Sequence, residues 1–452
     1  MKKLSFFDKV SYGFGDLASN VVFTAVSTYL MFFYTDVFGI SAALVGTLFF
    51  VTRMWDAISD PIMGMIGDRT KTRFGKFRPY LLYAPIPLAI VAVLTFTTPD
   101  LDESGKIIWA FVTYILLMTL YTAINIPYSS LPATISDSPV ERGQMASFRM
   151  VLAFTGALIV NAGTLPLVEF FGDGNKQQGF QYTMMLLSSV MVVMFWLCFS
   201  RVKERVPMIK QDSSLKDDFA VVIKNRAWWI TVLVGVPIFT FALLPFSVGM
   251  YFFTYNVGDV SAAGLFFMFG TLGMIAGATL MTVIVKHLSK RIIIIMSALG
   301  SMFCIGSLYW LHTVDVKVIY IIIFFNQFLM GMCASALWGI VADTADYIEW
   351  KSGRRVIGLS TSSATFSHKF GMGLSGALVG AGLSFVGYQA GVEQSEESKH
   401  MILLFMSLIP AFGGACVALI AYFYPINQEV ERKMQSELRA NREAKLKAQA
   451  NL

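Results

Sequence analysis

Apolar residues fill this chain in runs of about the length that crosses a bilayer as a helix, roughly 20 residues. Twelve runs can be marked, near 10–36, 41–67, 79–97, 107–133, 145–170, 181–200, 227–254, 258–286, 293–312, 317–342, 357–388 and 401–424. The polar connection at 201–226 is the longest and leaves six runs on either side. The pattern predicts an all-α membrane protein of twelve transmembrane helices in two six-helix bundles. The expected division is an N-terminal bundle (1–200), a central loop (201–226), a C-terminal bundle (227–425) and a charged tail (426–452). Such a layout suits a transporter with its substrate site near the midplane. Ser214 and Asp217 have capping-box spacing, which predicts a short amphipathic helix in the central loop. The tail, "EVERKMQSELRANREAKLKAQA", reads as a solvated charged helix.

Composition agrees with a lipid-facing surface: 56% of residues are apolar and 14% charged, against about a quarter charged in soluble proteins. The net charge of +6 might suggest nucleic acid, but its placement follows a membrane topology. Of 35 Lys and Arg, 28 fall in the termini and alternate connections that share one side, four in the opposite connections, and three (Arg53, Arg149, Lys369) inside runs. The positive-inside rule then puts both termini in the cytoplasm. The expected location is a plasma membrane, as in a bacterial inner membrane, crossed many times. The start, "MKKLSFFDKVSYGFGD", lacks the continuous apolar core and small-residue cleavage site of a secretory signal. Cys198, Cys304, Cys333 and Cys416 are scattered through the runs, so neither disulfides nor a metal cluster is indicated.

Candidate chemistry lies in the polar residues inside the runs. Asp56 and Asp60 in "WDAISDPIMG" are four apart, one turn from each other on one helix face, with Arg53 on the same stripe. Charged groups at mid-bilayer cost a few kcal/mol or more and normally face the bundle interior or a watery cavity. Two carboxylates and one cation could hold Na⁺ or share a proton, since like charges raise one pKa. The competing structural reading is an Arg53 ion pair with one carboxylate. In "YTAINIPYSSL", Tyr121, Thr122 and Asn125 share one side, and Pro127 frees a backbone carbonyl one turn earlier. Asp16 and Asn20 are again four apart. Arg149 stands in the fifth run, and Lys369 in the eleventh needs an anionic partner, which an aspartate of the second run or an anionic substrate would supply. Trp338 offers a flat face on which sugars stack, although an isolated Trp more often packs.

"GMGLSG" (371–376) matches GxGxxG but follows no strand, and close helix packing explains it better. "GFGD" (13–16) has the spelling of an intramembrane aspartyl protease motif without a second motif to support it. There is no HExxH and no Walker sequence, so no enzyme constellation is visible. His368 adjoins Lys369, but neighbouring helical residues point in different directions.

"YGFGD", "TDVFG", "WDAISDPIMG", "GDRTKTRFGKFRPY", "NIPYSSL", "ERGQMASFR" and "VADTADYIEWKSGRR" occur in that order. Together they resemble the glycoside–pentoside–hexuronide cation symporters, which include the melibiose permeases and the glucuronide and xyloside carriers. The resemblance implies the major facilitator fold and import of a sugar or glycoside, coupled to H⁺ or Na⁺, by alternating access. It implies a cation site at Asp56, Asp60 and Thr122. It implies a sugar pocket at Asn20, Tyr121, Asn125, Ser129, Arg149, Trp338 and Lys369. It also implies a conformational latch between the basic loop 68–78, with Arg73, and the acidic pair Asp343 and Asp346. No cofactor is expected, and no metal beyond Na⁺ at Asp56 and Asp60. The expected partners are the small-molecule sugar, the coupling cation and lipid, without nucleic acid, for a monomer.

The chain departs from the melibiose permeases at three pocket positions. Asn20 and Asn125 stand where those proteins carry aspartates, and Ser129 where they carry tryptophan. With two carboxylates fewer and Arg149 and Lys369 retained, a hexuronide fits the expected charge. "NIPY" also looks like the xyloside-type carriers, which keeps neutral pentosides and other glycosides open. Fewer oxygens favour H⁺ over Na⁺. A lysolipid carrier of the same fold is the alternative, and the dense polar midplane argues against it.

Overall fold

The computed structural model describes residues 4–136, 139–205, 220–285, 287–313, 315–353 and 357–450. The expected capping box at Ser214 and Asp217 lies outside them. In chain order the α-helices are α1 Phe6–Ala25, α2 Ala42–Arg69, α3 Arg78–Tyr83, α4 Pro85–Thr95, α5 Glu103–Ile135, α6 Pro139–Gly172 and α7 Lys176–Arg201. They continue with α8 Arg226–Tyr251, α9 Ala262–Ile284, α10 Lys290–Leu311, α11 Val316–Ser352, α12 Ile357–Phe385, α13 Glu396–Met406, α14 Leu408–Tyr422 and α15 Gln428–Ala450.

Helix occupies each of the twelve apolar runs among the described residues, so the runs were legible. Their continuity was not. The first run unwinds after α1 into wider π turns at Val26–Leu30 and Phe33–Val37. The third is split at Ala84, where Pro85 opens α4 and Pro87 follows in its first turn. The twelfth breaks at Ser407, three residues before Pro410. Among the described residues, nine helices are long and apolar enough to cross a membrane.

The helices wear apolar side chains outward: Phe170, Phe303, Phe385 and Phe412 are all well exposed, while Thr28, Asn161, Asn326 and Gln327 are buried. That distribution suits lipid, where a polar group gains by turning inward to a partner. Thr28 donates to Asn161 at 3.2 Å and Ser301 to Asn326 at 2.6 Å.

Two compact units emerge: residues 1–210, 246–271 and 376–403 form one, and 211–245, 272–375 and 404–452 the other. In the first, Phe33 packs on Phe96 and Phe180 with ring centres 5.1 and 5.4 Å away. Asp36, in the second π turn, accepts hydrogen bonds from Tyr388, 2.7 Å from each carboxylate oxygen, and from Tyr255. The small-residue reading of "GMGLSG" holds in both units. A Cβ on Gly371 would come 2.9 Å from the Val236 carbonyl oxygen, and one on Gly376 2.6 Å from the Phe49 ring.

In the second unit, α8, α10, α11 and α14 share a core that includes Ile230, Val234, Ile294, Leu337 and Val417. The tail corrects the expectation of a solvated helix. Met434 and Leu438 of α15 are buried, Glu431 accepts from Lys290 at 2.7 Å, and Glu437 accepts from the Trp350 indole at 2.6 Å. Its charged spelling hid a short apolar stripe at i, i+4.

Candidate transport site

The first cluster is built on α2. Arg53 and Asp56, three apart, form an ion pair at 2.9 Å, with Arg53 4% and Asp56 0% exposed. The second amino group of Arg53 donates to the Tyr114 hydroxyl of α5 at 3.2 Å. The ion pair that the structural reading expected is therefore made with Asp56, and it offsets part of the desolvation of that buried carboxylate. Asp60, one turn on, is only partly buried, and it accepts from the Thr122 hydroxyl of α5 at 3.0 Å. The expected partnership of Asp60 with Thr122 is thus formed, across 62 residues of chain. Pro61 has no N–H to give to the carbonyl of residue 57 one turn back. A backbone oxygen without its helical donor thus joins the turn that carries Asp56 and Asp60, a signal that was readable in "SDPIM" and went unused. Arg53, Asp56 and Asp60 together carry one net negative charge, which a single cation or proton can neutralise.

The second cluster joins α1, α5 and α6. The Arg149 Nε donates to Asp16 Oδ2, and the guanidinium lies over the Tyr128 ring, 5.1 Å from its centre. Tyr128 in turn stacks on Tyr12 at 4.8 Å. The Asn20 amide donates to the Asp16 backbone carbonyl at 2.9 Å, and the Ser19 hydroxyl donates to the Asn125 side-chain oxygen Oδ1 at 3.4 Å. The Asn125 amide nitrogen is buried with no hydrogen-bond partner among the described residues. Tyr121, one turn before Asn125 on α5, stacks on Phe23 of α1 with ring centres 6.1 Å apart. Four expected pocket residues, Asn20, Tyr121, Asn125 and Arg149, therefore meet here, and Asp16 joins them.

Glycines bring these helices together. A Cβ on Gly13 would lie 2.7 Å from the Leu152 side chain and 3.0 Å from the Phe148 carbonyl oxygen, and one on Gly156 2.7 Å from the Leu17 carbonyl oxygen. A Cβ on Gly15 would strike the Tyr128 ring at 2.3 Å. "GFGD" is thus a packing motif that delivers its aspartate to Arg149.

The remaining expected residues are less gathered. Ser129 is exposed on α5. Trp338, 45% exposed on α11, and Lys369, on α12, belong to the second unit. His368 packs edge-on against Phe239. Of the expected latch, Asp343 is held by Lys290 at 2.7 and 2.9 Å, and Asp346 follows on the same helix. Arg73 is exposed, its guanidinium over Phe74. Sequence inspection missed Lys290, which binds Asp343 and Glu431 together. It also missed Glu204, which accepts from the backbone N–H groups of Lys76, Phe77 and Arg78 at the start of α3.

The chain is 36% identical over 423 residues to the inner membrane symporter YicJ of Escherichia coli (strain K12), covering 93% of this chain and 92% of that protein. It is also 36% identical over 444 residues to the isoprimeverose transporter of Lactiplantibacillus pentosus, covering 95% and 91%. Among solved structures, the inward open xylose transporter XylE from E. coli superposes with a TM-score of 0.65 at 15% identity, over 95% of this chain and 98% of that one, which shows the shared fold. A family model described as MFS/sugar transport protein matches residues 11–428, and the chain belongs to that family.

Proposed function

We propose that this protein imports a sugar or glycoside together with a cation by alternating access, with both termini in the cytoplasm. The contact between Asp60 and Thr122 carries the reading, since it sets a partly exposed carboxylate beside a hydroxyl on the turn that also holds the Arg53–Asp56 pair. Cation binding there removes the net negative charge. Thr122, which donates to Asp60, lies on α5 beside Tyr121 and three residues before Asn125, so one helix carries residues of both clusters. The coupling is reciprocal: the factor by which the cation raises sugar affinity is the factor by which sugar raises cation affinity. One oxygen of Asp56 is committed to Arg53, and a proton, which needs a single carboxylate, is the favoured coupling ion.

The relatives named as a symporter and as an isoprimeverose transporter support a sugar cargo. The test is uptake of labelled glycosides by membrane vesicles under an imposed H⁺ or Na⁺ gradient. Asp60→Asn should abolish accumulation against a gradient while exchange of sugar for sugar persists. Undiminished accumulation by that variant would remove Asp60 from the coupling site.

A further inference from the structure

The expectation of an anionic sugar rested on two cations, Arg149 and Lys369, and for Arg149 the structure changes the picture. It supplies that guanidinium with a partner from within the chain. Asp16 and Arg149 are 133 residues apart, and their helices are brought into contact through Gly13 and Gly156. The carboxylate is the deeper member, its side chain 10% exposed against 30% for Arg149. The guanidinium uses Nε on Asp16, rests on Tyr128, and makes no other hydrogen bond among the described residues. Its two amino groups are therefore left as donors whose charge is already balanced. Donors of this kind suit hydroxyl and ring oxygens. A sugar carboxylate reaching the same guanidinium would have to share it with Asp16, a like charge in a poorly solvated site, and that juxtaposition is repulsive.

We propose that Asp16 is the resident counter-ion of Arg149 and sets the preference of this transporter for uncharged sugars over the corresponding uronates. The inference rests on the reading above that Arg149 belongs to the sugar site. Asp16 acts through Arg149 and is a positioning residue: it fixes Nε and cancels the charge, and it leaves the amino groups to the cargo.

The test is binding to the purified full-length protein in detergent by calorimetry. Its probes are matched pairs that differ only in a C6 carboxylate, namely p-nitrophenyl glucosides and galactosides and their uronides in both anomers, with the p-nitrophenyl xylosides as further neutral probes. The wild type should bind the neutral member of a pair at least about tenfold more tightly. Asp16→Asn should shift that ratio toward the uronide by about tenfold or more, and Asp16→Glu should restore it. The charge-balanced double variant Asp16→Asn/Arg149→Gln should keep the wild-type order, and it serves where the single variant does not fold. A wild-type preference for the uronide overturns the inference and leaves sugar transport standing, with the carboxylate read by a cation other than Arg149. Equal weakening of both pair members by Asp16→Asn also overturns it, since that is the mark of packing alone. Failure of every probe to bind removes the sugar-site reading and the inference with it.

Discussion

Arg53, Asp56, Asp60, Asp16 and Arg149 all lie within apolar runs, yet the structure treats them differently. Arg53 and Asp56 are sealed together at 2.9 Å, whereas Asp60 and Arg149 keep some exposure. Removing one member of a sealed pair leaves the other buried and uncompensated. Arg53→Met should therefore destabilise the protein by about 3–5 kcal/mol, because it strands the Asp56 carboxylate in a dry site. The double change Arg53→Met/Asp56→Leu should recover most of that loss, as read from melting in detergent. A single variant that melts like the wild type would show Asp56 to be solvated. The spacing of Asp56 and Asp60 was legible because a helix fixes it locally. Which of the two faces Arg53 and which Thr122 was not, since Thr122 arrives on another helix.

At the scale of elements, glycines decide how closely α1 and α6 approach. Gly156→Ala would set a methyl group 2.7 Å from the Leu17 carbonyl oxygen, which backbone can relieve only by moving the helices apart. Overpacking of this kind typically costs about 1–3 kcal/mol. The expected result is a lower melting temperature together with weakened sugar binding, since the same displacement pulls Asp16 from Arg149. Loss of stability with intact binding would separate the packing of α1 on α6 from the site. "GFGD" was visible as a string, but its use was not, because a glycine at a helix crossing looks in sequence like any other small residue. The tail shows the converse. Its charges spelled a solvated helix, and only the neighbouring Lys290 and Trp350, which bind Glu431 and Glu437, show that this face is docked, with Met434 and Leu438 buried.

For the whole molecule, the bias of Lys and Arg predicts a sidedness that can be measured. A cysteine placed at residue 3 or 450 of an otherwise cysteine-free variant should react with an impermeant thiol reagent only in inverted vesicles or after permeabilisation. Labelling in intact cells would reverse the assigned topology. Some helices exceed the bilayer. α11, with 37 residues, is about 55 Å long at 1.5 Å per residue, against about 30 Å of hydrocarbon. Asp343 and Asp346 lie beyond the apolar run 317–342, where Lys290 and the tail helix collect.

The sequence by itself determined the twelve apolar runs, their charge bias and the helical faces carrying Asp56 with Asp60 and Asp16 with Asn20. Those properties depend on bilayer thickness and on the 3.6-residue turn, which act over short stretches. Only the tertiary structure decided which charge neutralises which. The pairing of Arg149 with Asp16, of Thr122 with Asp60, and of Lys290 with both Asp343 and Glu431 joins residues 53 to 141 positions apart. In a medium with little water a buried charge must find its partner within the protein, and helix packing alone determines which partner is within reach.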